Sequence, residues 1–430
     1  MVPTIVPVKT SSQLPATATV VIIGGGIVGL NAALTLAERN ISVVVIEKGQ
    51  IAAEQSSRNL GWVRKTNRLA DDVPLALASD QLWSEMNERV AGEVGYRQAG
   101  IMFLSSQPEQ IELQQKWLKS VAHLNLDSKI ISAQDVNELV PHGQANWAGA
   151  LYTPSDGRAE PTLASSAIAT AAIKHGAIIV EQCAARQLDI QNGRVVGVYT
   201  EKGKISCDQI LLAGGFWSRR FLGNLGISLP SLPLVCSVFK TKPMQGPTEI
   251  AVGASNFSFR KHIDGGYIIT QRGKLDAPLT LDHLLLGSKY WQQLKTQRDF
   301  LNISFGRYFF QDLSAPRKWS KDTVTQFEKV RMMDPVANQT LNQEAWQNLA
   351  AAWPIFKHAE IENSWAGMID VTPDSNPIID SIEHIQGLTI ATGFSGHGFG
   401  TSPAAGHLAA DLISQHQPII DPTPYSFKRL

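Results

Sequence analysis

The chain has 430 residues, 43% of them hydrophobic, with 38 Lys plus Arg against 38 Asp plus Glu. That length supports two domains or three, each with a sizeable core. Zero net charge argues against nucleic acid as a partner, because phosphate binding needs a clustered cationic excess.

In chain order, residues 1–16 carry Pro3, Pro7 and Pro15 and no apolar h-region. They read as a flexible tail without a secretory signal, and no later window is long enough for a membrane span. Val20 to Ile23 is short, β-branched and apolar, which predicts a buried parallel strand. Gly24-x-Gly26-x-x-Gly29 follows at once. A helix then runs to about Arg39 with Ile27, Leu30, Ala33, Leu34 and Ala37 on one face. Ser42 to Ile46 is a second strand with Glu47 at its end, completing a βαβ unit. Such a unit binds a dinucleotide. Its glycines allow a tight turn, close approach of the pyrophosphate and close helix–strand packing, and the acid takes the ribose hydroxyls. The cofactor set here is Gly24, Gly26, Ile27, Gly29, Glu47 and Lys48.

Two more glycine-rich strand ends follow far downstream: Leu212 to Ser218, and Gly393 to Gly400 before an Ala-rich helix from about Pro403 to Ile413. Three such loops suit a long extended cofactor, FAD rather than NAD. The fold class expected is α/β: a Rossmann-like FAD-binding domain (17–93, 150–228 and 362–420) with a second α+β substrate domain (94–149 and 229–361). The second domain should hold a mixed or antiparallel sheet. The cysteines Cys183, Cys207 and Cys236 form no CxxC pair or metal cluster and fit a reducing compartment. A cytoplasmic location follows.

These motifs resemble the FAD-dependent D-amino-acid oxidase superfamily, in the branch with glycine oxidase, sarcosine oxidase and D-amino-acid dehydrogenases. The matching pieces span nearly the whole chain. They include Ser56 to Gly61, Asp156-Gly157-Arg158-Ala159-Glu160-Pro161, Trp365 to Met368 and Thr372-Pro373-Asp374. The resemblance implies that Ser57, Arg58, Asn59 and Leu60 pass the flavin edge. It places Ala185 by the adenine, and Gly214 and Trp217 in the second cofactor loop. Gly396, His397, Gly398 and Gly400 would form a helix start by the flavin N1–O2 locus, where the helix dipole favours the reduced flavin. His397 has either a backbone role or an influence on flavin potential.

The resemblance breaks at the substrate anchors. Where relatives carry a carboxylate-binding arginine or a lysine, this chain has Ile369 and Gly400, so Arg64 and Arg68 become the candidates. Tyr267, on a strand expected to face the flavin, is read either as a substrate-orienting hydroxyl or as a sheet aromatic. Trp62, Trp217 and Trp365 either wall an apolar pocket or pack the core. Ile268 stands where oxidases place an oxygen-activating lysine, which favours a quinone or another carrier over oxygen. The apolar segment 279–310 reads as helices capping the substrate domain, with a peripheral contact at the inner membrane face or with an acceptor protein as the alternative.

The activity implied is oxidation of the C–N bond of an amine or amino acid to an imine by hydride transfer to flavin. A hydroxy-acid dehydrogenase and a non-catalytic flavin-binding subunit are the alternatives. Residues 50–64 contain no histidine and no cysteine sits where covalent relatives attach the flavin, so the FAD is expected to be non-covalent.

Overall fold

The computed structural model describes residues 2–430. Among them, two large sheets share the work. The first is organised around β1 (Thr17–Ile23), which pairs in parallel with β2 (Val43–Ile46) on one side and with the Gly203–Leu212 strand on the other. Leu388–Thr392 adds in parallel beyond Gly203–Leu212, and Ile178–Val180 beyond β2. Alternation along β1 divides the core. Val20 and Ile22 meet α1 (Ile27–Glu38) and the helices Pro161–Lys174 and Gly398–Ser414, whereas Val21 and Ile23 face the opposite cluster.

The second sheet has ten strands in mixed order and carries the antiparallel ladders expected of a substrate domain. Its longest pairing joins Leu232–Thr241 to Ile361–Val371. Tyr267–Thr270 lies on the other side of Leu232–Thr241. The helix Gln339–Ala352 packs against this sheet and helps bury Phe239, Phe259, Tyr267 and Trp353.

Three expectations change. Gly149–Thr153 and Ile361–Val371 sit in the second sheet and not with the first, because their ladder partners are Ile101–Ser105 and Leu232–Thr241. The N-terminal run is not free: Ser11 N donates to Ile179 O, Ser166 Oγ donates to Val6 O, and Ile5, Val8 and Leu14 pack on the cores. The last long helix begins at Gly398, a turn before Pro403. Ser402 Oγ donates to Phe399 O at 2.8 Å and so supplies a donor to the carbonyl that Pro403 leaves without an N–H.

No described helix is long and apolar enough to cross a membrane. Residues 281–314 form short helices and one edge strand, and they leave Leu284, Leu285, Trp291, Phe305, Phe310 and Leu313 exposed.

Candidate active site

A cleft of about 1290 Å³, counting its open mouth, runs along the C-terminal ends of β1, β2, Gly203–Leu212 and Leu388–Thr392. Gly24 leaves β1 at φ +112°, and a Cβ there would lie 2.5 Å from Ala213 O; a Cβ on Gly29 would strike Gly24 O. The chain can therefore pass from strand to helix only with glycine at both places. Helix α1 starts after Gly26 with no side-chain cap, so its amide end opens on the cleft, although Ile27 N donates to Ser56 Oγ at 2.9 Å. Glu47 Oε2 accepts Gly25 N and Oε1 accepts Gly49 N, both at 2.8 Å. Burial pushes this carboxyl up, against Lys48 and the two amides that pull it down.

Gly24, Gly26, Ile27, Glu47, Lys48, Ala185, Gly214, Trp217, Gly396 and Gly398 all line this cleft. Lys48 and Trp217 are braced by a residue that sequence reasoning missed. Glu54 accepts from Lys48 Nζ at 2.8 Å and from Trp217 Nε1 at 3.0 Å, and Lys48 Nζ lies 4.5 Å above the Trp217 ring. Asp370 was also missed. It is buried beneath the third glycine loop, where it accepts Gly393 N at 2.6 Å and Thr392 Oγ1 at 3.1 Å. Neither residue belongs to a glycine motif. Their only signal is an acidic residue close to one.

The flavin-edge run is arranged differently from expectation. Of residues 57–60, only Asn59 lines the cleft. Ser57 Oγ donates to Glu54 O. Arg58 is buried and donates to Ala53 O, Ala366 O and, at 2.7 Å, Asp334, so it braces the turn and does not line the cleft. Leu60 packs on Val238, Ile268 and Trp365, and Trp365 Nε1 donates to Arg58 O. Gly29 and Gly400 serve close packing: Gly400 O accepts Trp83 Nε1, and the helix start there abuts Trp62.

Tyr267 is not at the site. It is fully buried, its hydroxyl donates to Thr248 O at 3.0 Å, and its ring packs on Phe259 and Phe356. The pleat of its strand turns Ile268 the other way, into the Leu60–Trp365 cluster.

A cationic recess adjoins His397, the residue before the Gly398–Ser414 helix. Arg64, Arg68 and Arg272 all bear on this imidazole, whose pKa lies well below the usual histidine range through burial first and then these three charges. Arg68 is satisfied by Asp72, at 2.8 Å from Nε and 2.6 Å from Nη2. Arg64 and Arg272 have no ion pair among the described residues. Arg64 Nη1 donates to Thr66 O and Asn67 O, and Arg272 Nη1 to Ala254 O. Both guanidinium groups lie over the Phe103 ring, at 5.6 and 4.2 Å. Burial, Arg68 and Arg272 push Arg64 down to about 9, and burial pushes Arg272 down to about 10. A bound anion would relieve that strain on both cations. Arg272, absent from the sequence reading, stands in no recognisable motif.

The chain matches the model of the "FAD dependent oxidoreductase" family over residues 19–412. A dimethylglycine dehydrogenase, mitochondrial, of Rattus norvegicus is 25% identical over 93% of this chain; the chain spans only 43% of that relative's length. A glycine oxidase of Pseudomonas aeruginosa is 26% identical over 95% of this chain and 98% of its own length. The solved L-amino acid deaminase from Proteus myxofaciens, in complex with anthranilate, superposes with a TM-score of 0.95. It is 30% identical, covering 99% of this chain and 96% of that one. The cleft suits the family's cofactor. Glycine backbone meets it at three strand ends, which suits an extended dinucleotide.

Proposed function

Because this chain belongs to the FAD-dependent oxidoreductase family, we propose that it oxidises the C–N bond of an amino acid that carries a free carboxylate. The observation that carries this reading is the pair Arg64 and Arg272: two half-buried guanidinium groups over the Phe103 ring, without a carboxylate partner among the described residues, beside the start of the Gly398–Ser414 helix. A guanidinium offers paired N–H donors to a carboxylate, and a desolvated site strengthens each bond. The names of the compared proteins, amino-acid and N-methylglycine enzymes, agree with such a substrate.

FAD, when bound, accepts the hydride from the carbon beside the nitrogen. The chain's own residues supply the rest. Arg64 and Arg272 fix the carboxylate and so orient the Cα–H bond. Phe103 and Trp62, edge to face at 5.7 Å, form an apolar wall that limits water. His397 is uncharged at neutral pH and adds no cation that would repel an ammonium substrate. The amide end of the Gly398–Ser414 helix opens on the cleft, where its positive dipole would favour negative charge on a bound flavin.

The flavin is held without a covalent bond. Cys207 is buried in a core, Cys236 lies on a strand paired to Gly367, and Cys183 lines the cleft within the strand-end wall beside Ala185. Acid precipitation should release all the yellow colour, and colour left in the pellet would overturn this point. The electron acceptor is a quinone or another carrier, since Ile268 offers no cation to stabilise reduced oxygen. The exposed apolar side chains of 281–314 support a peripheral contact of a cytoplasmic protein with the inner membrane face. Slow reoxidation of the reduced enzyme by air, and fast reoxidation by a soluble quinone, is the expected pair of results.

The experiment that tests the main reading is an anaerobic panel followed by flavin bleaching: L- and D-amino acids, N-methylglycines, amines lacking the carboxylate, and 2-hydroxy acids. Bleaching by amino acids and not by the matching amines supports it. Bleaching by hydroxy acids alone moves the chain to a different chemistry on the same anchor, and no bleaching by any of them favours a non-catalytic subunit.

A further inference from the structure

The motif Asp156-Gly157-Arg158-Ala159-Glu160-Pro161 has so far had no task. In the fold it lies edge to edge with residues 60–66. Trp62 and Val63 pair antiparallel with Arg158 and Gly157, and Ala159 N donates to Gly61 O at 2.8 Å. The two carboxylates of the motif hold the two ends of that run. Glu160 is buried and grips Arg260, with Nη2 to Oε2 at 2.8 Å; Arg260 Nε in turn donates to Leu60 O. Asp156 is fully buried at the other end. Its Oδ1 accepts Lys65 N at 2.8 Å, and its Oδ2 accepts Thr66 N at 3.1 Å and Thr66 Oγ1. Lys65 Nζ stands 3.3 Å from Oδ1 and also pairs with Asp80.

Beyond Val63 this run has no ladder partner. The amides of the two residues that follow Arg64 would otherwise be left to water in a buried place, at considerable cost. One carboxylate takes both of them and the Thr66 hydroxyl. The turn that follows brings Thr66 O onto the Arg64 guanidinium itself. The direction of Arg64 is therefore set by a turn whose Lys65 and Thr66 amides both end on Asp156.

We propose that Asp156 is a positioning residue for substrate: by fixing the turn at Lys65 and Thr66 it aims Arg64, and so governs affinity for the substrate's carboxylate and not the redox step. The inference rests on the reading of Arg64 as a carboxylate anchor. It extends that reading to a side chain that touches neither substrate nor cofactor.

The test uses the FAD-loaded enzyme and benzoate, a carboxylate that cannot be oxidised, titrated by the change in flavin absorbance. Asp156→Asn should keep its flavin, weaken benzoate about tenfold or more, and raise KM for the best amino acid by a similar factor. The kcat at saturation should stay within about threefold. In an Arg64→Met background the same substitution should add less than about a twofold change, because its route of action is gone. Full additivity of the two substitutions overturns the proposal, and so does an unchanged benzoate affinity in Asp156→Asn. Thr66→Val, which removes one of the three donors without changing shape, guards against a variant that fails to fold. It should weaken benzoate about threefold, and no change in it overturns the proposal even if Asp156→Asn loses its flavin. A different result separates the underlying reading: if Arg64→Met alone leaves benzoate binding as in the parent, the carboxylate anchor itself is wrong.

Discussion

The dinucleotide cleft and the cationic recess meet along one surface but are built from different materials. The cleft rests mainly on backbone: strand ends and glycines of the first sheet and an open helix start. The recess is made of side chains that converge from the 64–68 turn, the Arg272 loop and the start of the last long helix. A backbone site tolerates almost any side chain that points away and almost none that points in. A side-chain site can be supplied from other positions of the chain and still do the same chemistry.

The sharpest way to break the comparison is at Gly29. Gly29→Val would force a side chain onto the Gly24 carbonyl. Overpacking of about 1–3 kcal/mol or more at that turn should yield folded protein without flavin, read as lost absorbance near 450 nm with preserved circular dichroism. Flavin retained at the parental ratio would mean that the cleft is not held by backbone approach. Next in size, Arg272→Met and Arg64→Met should each lower kcat/KM for an amino acid by roughly 30-fold or more, that is about 2–5 kcal/mol, with flavin content unchanged. Loss of flavin in either would assign these arginines to the cleft and erase the distinction.

A smaller effect concerns pH. The folded pKa of His397 is depressed, by burial and then by Arg68, Arg64 and Arg272. Protonation thus favours the unfolded chain, and stability falls as pH drops below the ordinary histidine value of about 6.5. His397→Asn should therefore lose less melting temperature than the parent between pH 7 and pH 5. An equal loss would show that this imidazole bears no charge strain. The smallest expected effect is Tyr267→Phe. It removes one buried hydrogen bond, to Thr248 O, for about 1 kcal/mol of stability, and it should leave kcat/KM within about twofold. A large loss of activity would return Tyr267 to the site.

The same contrast explains what the sequence disclosed. The βαβ unit, the three glycine-rich strand ends and the discontinuous first sheet were legible because strand periodicity, glycine spacing and a terminal acid are local signals. The recess was legible only in part. Arg64 stood close to a recognisable run, but Arg272 reaches the site through the order of the second sheet, which no local signal records. Tyr267 and Ile268 were both read as facing the flavin, whereas adjacent residues on a pleated strand point to opposite faces, and Tyr267 turns to the core. Arg58 looked like a cofactor contact by its neighbours, yet its guanidinium turns to Asp334 and two carbonyls. The boundary strands Gly149–Thr153 and Ile361–Val371 were assigned by proximity in sequence, whereas hydrogen-bond partners decide membership in a sheet.

The parallel pairing of Leu388–Thr392 with Gly203–Leu212, and the packing of the Gly398–Ser414 helix on α1, also have a meaning in time. A ribosome that has finished the first two strands and Gly203–Leu212 must still make residues 213–387 before the strand that completes the cleft exists. At ~5–20 residues per second that is roughly ten to thirty-five seconds. During that interval the apolar face of α1 that the last helix will cover has no partner from its own chain. Cofactor capture is therefore a late event in the life of each molecule, and the newborn chain, more than the finished enzyme, is the form that needs protection from aggregation.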